Sequence, residues 1–160
     1  MTKKGFFTLT TAKDLFLKLE HDLAEVQRNP SDAYAAFNFF VTAEHLLDWL
    51  HPGNANKGTR EARRGTEPLL ALVSHLASGA KHFDQLSSHH RSVKDTGRGL
   101  APPPIIKVVS HLGPRWTRPP YPILYVRLDG DAATKYGQVI DVIKLAQEVH
   151  RYWKTDPALQ

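Results

Sequence analysis

Cysteine is absent from this sequence of 160 residues, and so are long apolar runs. Without cysteine the chain can form no disulfide bond, no thiol nucleophile and no zinc site built on thiolates. No apolar stretch approaches the roughly 20 residues that a membrane-spanning helix needs. The first residues, MTKKGFFTLTTAKD, lack the apolar segment of a signal peptide. We therefore expect a cytoplasmic protein with no membrane partner.

Motifs that name a reaction are also missing. The sequence has no GxxxxGK[ST] phosphate loop, and it has no arginine followed four to six residues later by histidine, the spacing of HEPN-type helical nucleases. The segment Thr96-Gly97-Arg98-Gly99 could wrap a phosphate through backbone N–H groups, but we interpret it as a flexible turn. The sequence therefore leaves open whether the protein is an enzyme.

Size and composition indicate a single domain, residues 1–160, with one hydrophobic core. Hydrophobic residues make up 41% of the chain and charged residues 23%, which is typical of a globular protein. The net charge of +5 is concentrated in residues 57–118, which hold 11 basic and 4 acidic groups. Such a local excess attracts nucleic acid, phosphate ligands or an acidic partner, whereas the alternative is a solvated surface with scattered lysine and arginine.

Apolar residues at helical spacing predict four helices. Thr11 and Asp14 have the spacing of a capping box at the start of the first helix. The second helix is apolar almost all round, which is typical of a central helix in a bundle. The four predicted helices run from Thr11 to Asn29, from Asp32 to Leu50, from Glu67 to Phe83 and from Gly137 to Lys154.

The remaining segments predict loops and two strands. Residues 52–65 read as a polar loop with a short helical turn, and residues 87–104 as a flexible loop. Two β-branched runs, Ile105–Ser110 and Ile123–Leu128, predict an antiparallel pair whose edge could join a second copy of the chain. The expected fold is α+β, mainly α: a helical bundle of about four helices with a two-stranded antiparallel β-hairpin before the C-terminal helix.

The end of the third predicted helix carries histidines seven residues apart. His75 and His82 lie two turns apart on one stripe of the helix. Lys81 and Arg91 add positive charge beside them, so this helix end suits a phosphate or an RNA backbone. The alternative is that His75 is a hydrogen-bonded core residue.

The second predicted helix adds carboxylates and one more histidine. Glu44, His45 and Asp48, joined with His75 and His82, would make a metal site for a divalent ion such as zinc, manganese or iron. A metal-free version uses His45, Asp48, His75 and His82 as catalytic residues, with one histidine as the general base. The alternative is that each carboxylate orients a histidine or meets an arginine.

A proline-rich segment places an aromatic residue between two arginines. Arg115, Trp116 and Arg118 have the character of a surface on which nucleic-acid bases stack. The equal alternative is that Trp116 folds back and covers the core. These three residues are the binding candidates outside the helices.

Three stretches of the sequence resemble an uncharacterised family of small bacterial proteins. They are SHLASGAKHF at residues 74–83, AFNFFVTAEHLLDW at residues 36–49 and the LDG turn at residues 128–130. The resemblance implies a bacterial or phage-associated origin. The family has no assigned activity, so no catalytic residue is carried over.

Three functional hypotheses follow from these patterns. The first is a basic binding or regulatory domain that contacts nucleic acid or another phosphate-bearing partner. The second is a small nuclease-like hydrolase that uses the histidine and aspartate cluster between the second and third helices. The third is a structural or protein-partner module whose polar residues form a buried network.

Overall fold

The computed structural model describes residues 5–81, 92–101, 105–106, 115–116 and 121–160, which form a mainly helical α+β fold. The helices are α1 (Ala12–Arg28), α2 (Ala33–Leu50), α3 (Lys57–Thr66), α4 (Pro68–Lys81), α5 (Gly130–Tyr136) and α6 (Val142–Lys154). The strands are β1 (Val93–Ala101), β2 (Ile105–Ile106), β3 (Arg115–Trp116), β4 (Tyr121–Leu128) and β5 (Val139–Asp141). Among these helices, none is long and apolar enough to cross a membrane.

The capping box predicted for the first helix is confirmed. The Asp14 backbone N–H donates to Thr11 Oγ1 at 3.1 Å, and the Thr11 N–H donates back to Asp14 Oδ2 at 2.9 Å. Hydrogen bonds from the Thr10 N–H and from Thr11 lower the pKa of the Asp14 carboxyl. These bonds satisfy N–H groups at the helix start that have no partner within the helix.

Four helices enclose the core, with α2 against α1 and α4, and with α6 against α1. The prediction that α2 is central is confirmed, because Phe39, Leu46 and Leu47 on it are almost wholly buried. One polar cluster lies between α1 and α2. Lys18 Nζ donates to Asp22 Oδ2 at 2.6 Å, and Thr42 Oγ1 donates to the same oxygen at 2.6 Å.

A three-stranded antiparallel sheet in the order β1-β4-β5 covers one side of the helices. Val126, Leu128 and Ile140 are buried, so the face that carries them points towards the core. Residues that pair directly across antiparallel strands project to the same face of the sheet. Thr96 pairs with Val126, and Arg98 pairs with Leu124, so Thr96 and Arg98 lie on the core-facing side.

The strand pairing differs from the predicted hairpin. The structure pairs β4 with β1, which occupies residues 93–101 of the segment that we expected to be a flexible loop. Ile105–Ile106 pairs instead with Arg115–Trp116. Glycines that look like turn signals have another role here. A Cβ at Gly97 would lie 2.5 Å from the Tyr125 hydroxyl oxygen, so glycine gives the Tyr125 ring room beside the strand.

Three further elements were not predicted as such. Helix α3 replaces most of the expected polar loop at residues 52–65. Helix α5 follows the turn at Asp129, whose side chain accepts a hydrogen bond from the Gly130 N–H. The last helix begins at Val142 rather than Gly137, because residues 139–141 pair with β4 and Asp141 caps the helix.

Candidate functional site

Glu44 and Asp48 face helix α3 and bind its arginines. Arg64 Nη2 donates to Glu44 Oε1 at 2.6 Å, and Ser74 Oγ donates to the same oxygen at 3.2 Å. Arg60 Nε lies 3.0 Å from Asp48 Oδ1. Burial raises the pKa of the Glu44 carboxyl, although Arg64 opposes the increase. Both carboxylates therefore meet arginines, which was the alternative to a metal or catalytic role.

Helix α3 has no buried residue, and its arginines attach it to the rest of the molecule. Besides the contacts of Arg60 and Arg64 with α2, Arg63 binds the Asp156 carboxylate and donates through Nε to the Tyr152 hydroxyl at 2.9 Å. Its guanidinium lies 5.1 Å from the centre of the Trp153 ring. Burial alone would raise the pKa of Asp156, but the hydrogen bonds from Arg63 and from the Ala158 N–H lower it.

His75 is buried and connects α4 to the start of β1. The Val93 N–H donates to His75 Nδ1 at 3.2 Å, and Ser92 Oγ lies 3.3 Å from the same nitrogen. A backbone N–H that points at Nδ1 requires a lone pair there, which places the proton of the neutral ring on Nε2. The lone pair of Nδ1 is thus occupied by a backbone donor at the start of β1.

His45 does not join His75 or the carboxylates in a metal site. It lies at an exposed position of α2. Within the described part of the chain, no group of three or more histidine, aspartate and glutamate side chains could hold a metal ion. His82, Arg91 and Arg118 lie outside the described residues. For Lys81, Arg115 and Trp116 only the main chain is described, in α4 and β3, so their roles stay predictions.

Almost all arginines with described side chains form an ion pair with a carboxylate of the same chain, and Arg98 is the exception. Arg98 is exposed on β1 and has no carboxylate within ion-pair distance among the described residues. The six other arginines with described side chains each pair with a carboxylate: Arg28 with Glu25, Arg60 with Asp48, Arg63 with Asp156, Arg64 with Glu44, Arg127 with Asp95 and Arg151 with Glu148.

Arg98 lines a cleft of about 320 Å³ between α2 and the core-facing side of the sheet. We call it the Arg98 cleft. One wall is a single face of α2, formed by residues spaced three and four apart. The opposite side is the paired region of β1 and β4. The described lining comprises Ala33, Ala36, Phe37, Phe40, Leu76, Thr96, Gly97, Arg98, Leu124, Tyr125, Val126 and Val142.

The walls of the Arg98 cleft are held in place by backbone contacts. The Leu124 N–H donates to the Pro30 carbonyl oxygen at 3.0 Å, which fixes the turn before α2 against β4. Of the two phenylalanines in the lining, Phe40 is buried, whereas Phe37 is 47% exposed. A concave, mostly apolar site with few polar groups is the usual form of a small-molecule site, and its volume falls in the usual range of about 300 to 1,000 Å³.

The sequence carries a signal for this site in the alternation along β1. Thr96, Arg98 and Leu100 alternate with Gly97 and Gly99. This period of two is that of a strand, but the glycines and the charge favoured a turn. Besides Gly97 and Gly99, the side of β1 that faces away from the core carries Asp95, which pairs with Arg127, whereas the core-facing side carries Thr96 and Arg98.

A second cleft of about 320 Å³ lies where α3 and α4 meet α5. Its lining includes Arg64, Ser92, Asp129 and Asp131. Arg64 is already bound to Glu44, and Asp129 accepts the hydrogen bond that caps α5. Arg64 and Asp129 therefore have functions within the fold, and the remaining charge, Asp131 in the first turn of α5, is itself an anion, which makes the Arg98 cleft the stronger candidate for an anion.

No protein-family model, curated protein or solved structure matches this chain. The resemblance to small bacterial proteins stays a prediction.

Proposed function

We propose that this protein is a binding domain for a phosphate-bearing partner and that the Arg98 cleft is the binding site. The observation that carries the proposal is the position of Arg98, a guanidinium without a carboxylate partner among the described residues, at a concave apolar site. Arginine presents a planar fork of donors that matches the oxygens of a phosphate. The Thr96 hydroxyl lies two residues away on the same face of the sheet.

The proposed anion site is one arginine at a cleft, not the broad basic surface that the sequence suggests. The basic excess in residues 57–118 first suggested a broad surface for nucleic acid, but Arg60, Arg63 and Arg64 are bound to carboxylates. A single unpaired arginine supports contact with one phosphate group. That phosphate can belong to a free nucleotide or to a nucleic-acid strand.

Binding of AMP and of a single-stranded oligonucleotide tests the proposal. We expect both probes to bind, and Arg98→Ala to weaken binding by roughly 10- to 100-fold, because a hydrogen-bonded charge contributes about 1.5 to 3 kcal/mol. Arg151→Ala, which removes an exposed arginine paired with Glu148 on α6, is the matched control and leaves affinity unchanged. Equal affinity of the Arg98→Ala and wild-type proteins would reject the site.

The salt dependence of oligonucleotide binding measures how many phosphates the protein contacts. For a single-stranded nucleic acid the logarithm of affinity falls with the logarithm of salt concentration by about 0.7 per phosphate contacted. We expect a slope of roughly one contact for the oligonucleotide, whereas AMP binding is weakened only by ordinary screening of the charge of Arg98. A slope several times steeper for the oligonucleotide indicates a wider nucleic-acid surface than Arg98 alone supplies.

A second candidate function is a protein-partner module with a buried polar network. Two clusters support it: Lys18, Asp22 and Thr42 between α1 and α2, and Arg64 with Glu44 and Ser74. In this candidate the polar residues serve the fold, and a partner binds elsewhere. Light scattering tests self-association, and a molar mass of one chain over a range of concentrations counts against a homo-oligomer.

A further inference from the structure

We infer that the phosphate-bearing ligand of the Arg98 cleft has an apolar chain as its body and a single terminal phosphate as its charge. This inference rests on the proposed function and specifies its ligand. The site supplies one guanidinium and one hydroxyl, from Arg98 and Thr96 on the same face of β1. A diphosphate or triphosphate would bring charge that no second described cation of the lining balances.

The apolar lining of the rest of the cleft indicates that the body of the ligand is apolar. Phe37 and Phe40 on α2, Leu124 and Val126 on β4, and Val142 at the start of α6 are all apolar. Tyr125 pairs with Gly97, so its hydroxyl belongs to the opposite face of the sheet. A nucleobase placed here would bury ring nitrogens and amino groups without hydrogen-bond partners, which is unfavourable. An alkyl, acyl or isoprenoid chain has no such groups.

Exposed apolar side chains continue beyond the mouth of the cleft. Leu100 follows Arg98 on the same face of the sheet and is 68% exposed. Tyr34 lies one helical turn before Phe37 on α2 and is also exposed. The apolar surface therefore extends past the guanidinium, so that a chain can pass along α2 while its phosphate stays at the solvent-facing rim.

Calorimetric titration with octyl phosphate, AMP and octanol tests the inference, with octyl phosphate kept below its micelle concentration. We expect octyl phosphate to bind at least about tenfold more tightly than AMP, which shares its phosphate, and than octanol, which shares its chain. Arg98→Ala reduces octyl phosphate affinity roughly 10- to 100-fold. Phe37→Ser reduces the affinity for octyl phosphate more than that for AMP.

Leu17→Ser provides the control, because Leu17 is an exposed apolar residue of α1 outside the cleft lining. This variant keeps wild-type affinity if the cleft is the site. Equal, Arg98-dependent affinity for octyl phosphate and AMP overturns the inference but leaves the proposed function intact. If neither octyl phosphate nor AMP binds the wild-type protein, both the inference and the proposed function are overturned.

Two other results also contradict a site for a single apolar chain. One is octyl phosphate binding that is as sensitive to Leu17→Ser as to Phe37→Ser, which indicates non-specific adsorption of an amphiphile. The other is binding to vesicles that contain phosphatidic acid without any binding of monomeric octyl phosphate, which indicates recognition of a membrane surface.

Discussion

Arg64 joins three helices through one side chain, because it belongs to α3 and binds Glu44 of α2, which in turn accepts a hydrogen bond from Ser74 of α4. Arg64→Ala leaves the Glu44 carboxylate largely buried without its cation. Both side chains are about one-fifth exposed, so we expect a loss of about 2 kcal/mol, below the 3 to 5 kcal/mol of a fully buried pair. Urea denaturation of both proteins at neutral pH measures the difference.

The pH dependence of this loss follows from the raised pKa of Glu44. Burial makes the folded protein hold this proton more tightly than the unfolded chain does. The contribution of Glu44 to stability is therefore greatest at low pH and is lost as pH rises through the folded pKa. Without Arg64 the pKa rises further, so the destabilisation by Arg64→Ala should shrink as pH falls towards the ordinary value of 4.5. A destabilisation that grows at lower pH would contradict this account.

Gly97 and Gly99 offer a matched pair of substitutions on one strand. A Cβ at Gly97 would lie 2.5 Å from the Tyr125 hydroxyl oxygen, whereas a Cβ at Gly99 would meet the Tyr125 ring at an ordinary 3.4 Å. We expect Gly97→Ala to destabilise the protein by about 1 to 3 kcal/mol through overpacking, and Gly99→Ala to have little effect. Thermal unfolding of the two variants checks this, and equal melting temperatures would show that Tyr125 moves aside freely.

At the residue scale the sequence predicted caps and core better than it predicted site chemistry. Thr11 and Asp14 follow a local rule, since both partners lie within one helical turn, and that prediction is confirmed. The environment of His75 depends on the Val93 N–H, 18 residues away, and on how β1 meets α4. Spacing along one helix carries no information about such a contact.

At the element scale, helix α3 shows that a helix without a buried residue can be attached to the fold through its arginines. It has no buried residue, and Arg63 connects it to Tyr152 on α6 and to Asp156 just after that helix. We expect Arg63→Ala to speed hydrogen exchange of the α3 amides while exchange in α4 stays unchanged. Mass spectrometry of peptides from both helices measures this. Unchanged protection of α3 would mean that Arg60 and Arg64 suffice to hold it.

Acid should weaken the ion pair between Arg63 and Asp156 that attaches α3. The pKa of Asp156 is lowered, because the hydrogen bonds from Arg63 and from the Ala158 N–H outweigh the effect of burial. A carboxyl with a lowered folded pKa stabilises the protein above its unfolded value, and this contribution is lost as pH falls through the folded pKa. Exchange of α3 amides should therefore increase, relative to that of α4, below the ordinary value of 3.8. In Asp156→Asn this additional sensitivity to acid should be absent.

Element prediction succeeded where periodicity was strong and failed where glycine and charge dominated. The apolar stripes of α1 and α2 predicted their extents closely. Strand β1 contains two glycines and three charged residues in nine positions, so its sequence resembles a loop. Its strand conformation depends on pairing with β4, which is a long-range interaction that local patterns do not encode.

At the scale of the whole molecule, net charge was a poor guide to the position of the binding site. The chain is basic, yet six of the seven arginines with described side chains are engaged with carboxylates of the same chain. Among the described arginines, the one that remains for a partner is Arg98, beside an apolar cleft. We therefore expect a small site for an anion rather than a broad basic surface.

A titration of isotope-labelled protein with octyl phosphate, followed by the backbone amide signals in NMR spectra, tests this central claim most directly. We expect saturable shifts that are confined to residues 33–40 of α2, 96–100 of β1 and 124–126 of β4 and to Leu76 and Val142, and that disappear in Arg98→Ala. Shifts centred on α3, or shifts that persist unchanged in Arg98→Ala, would contradict the assignment of the Arg98 cleft as the binding site.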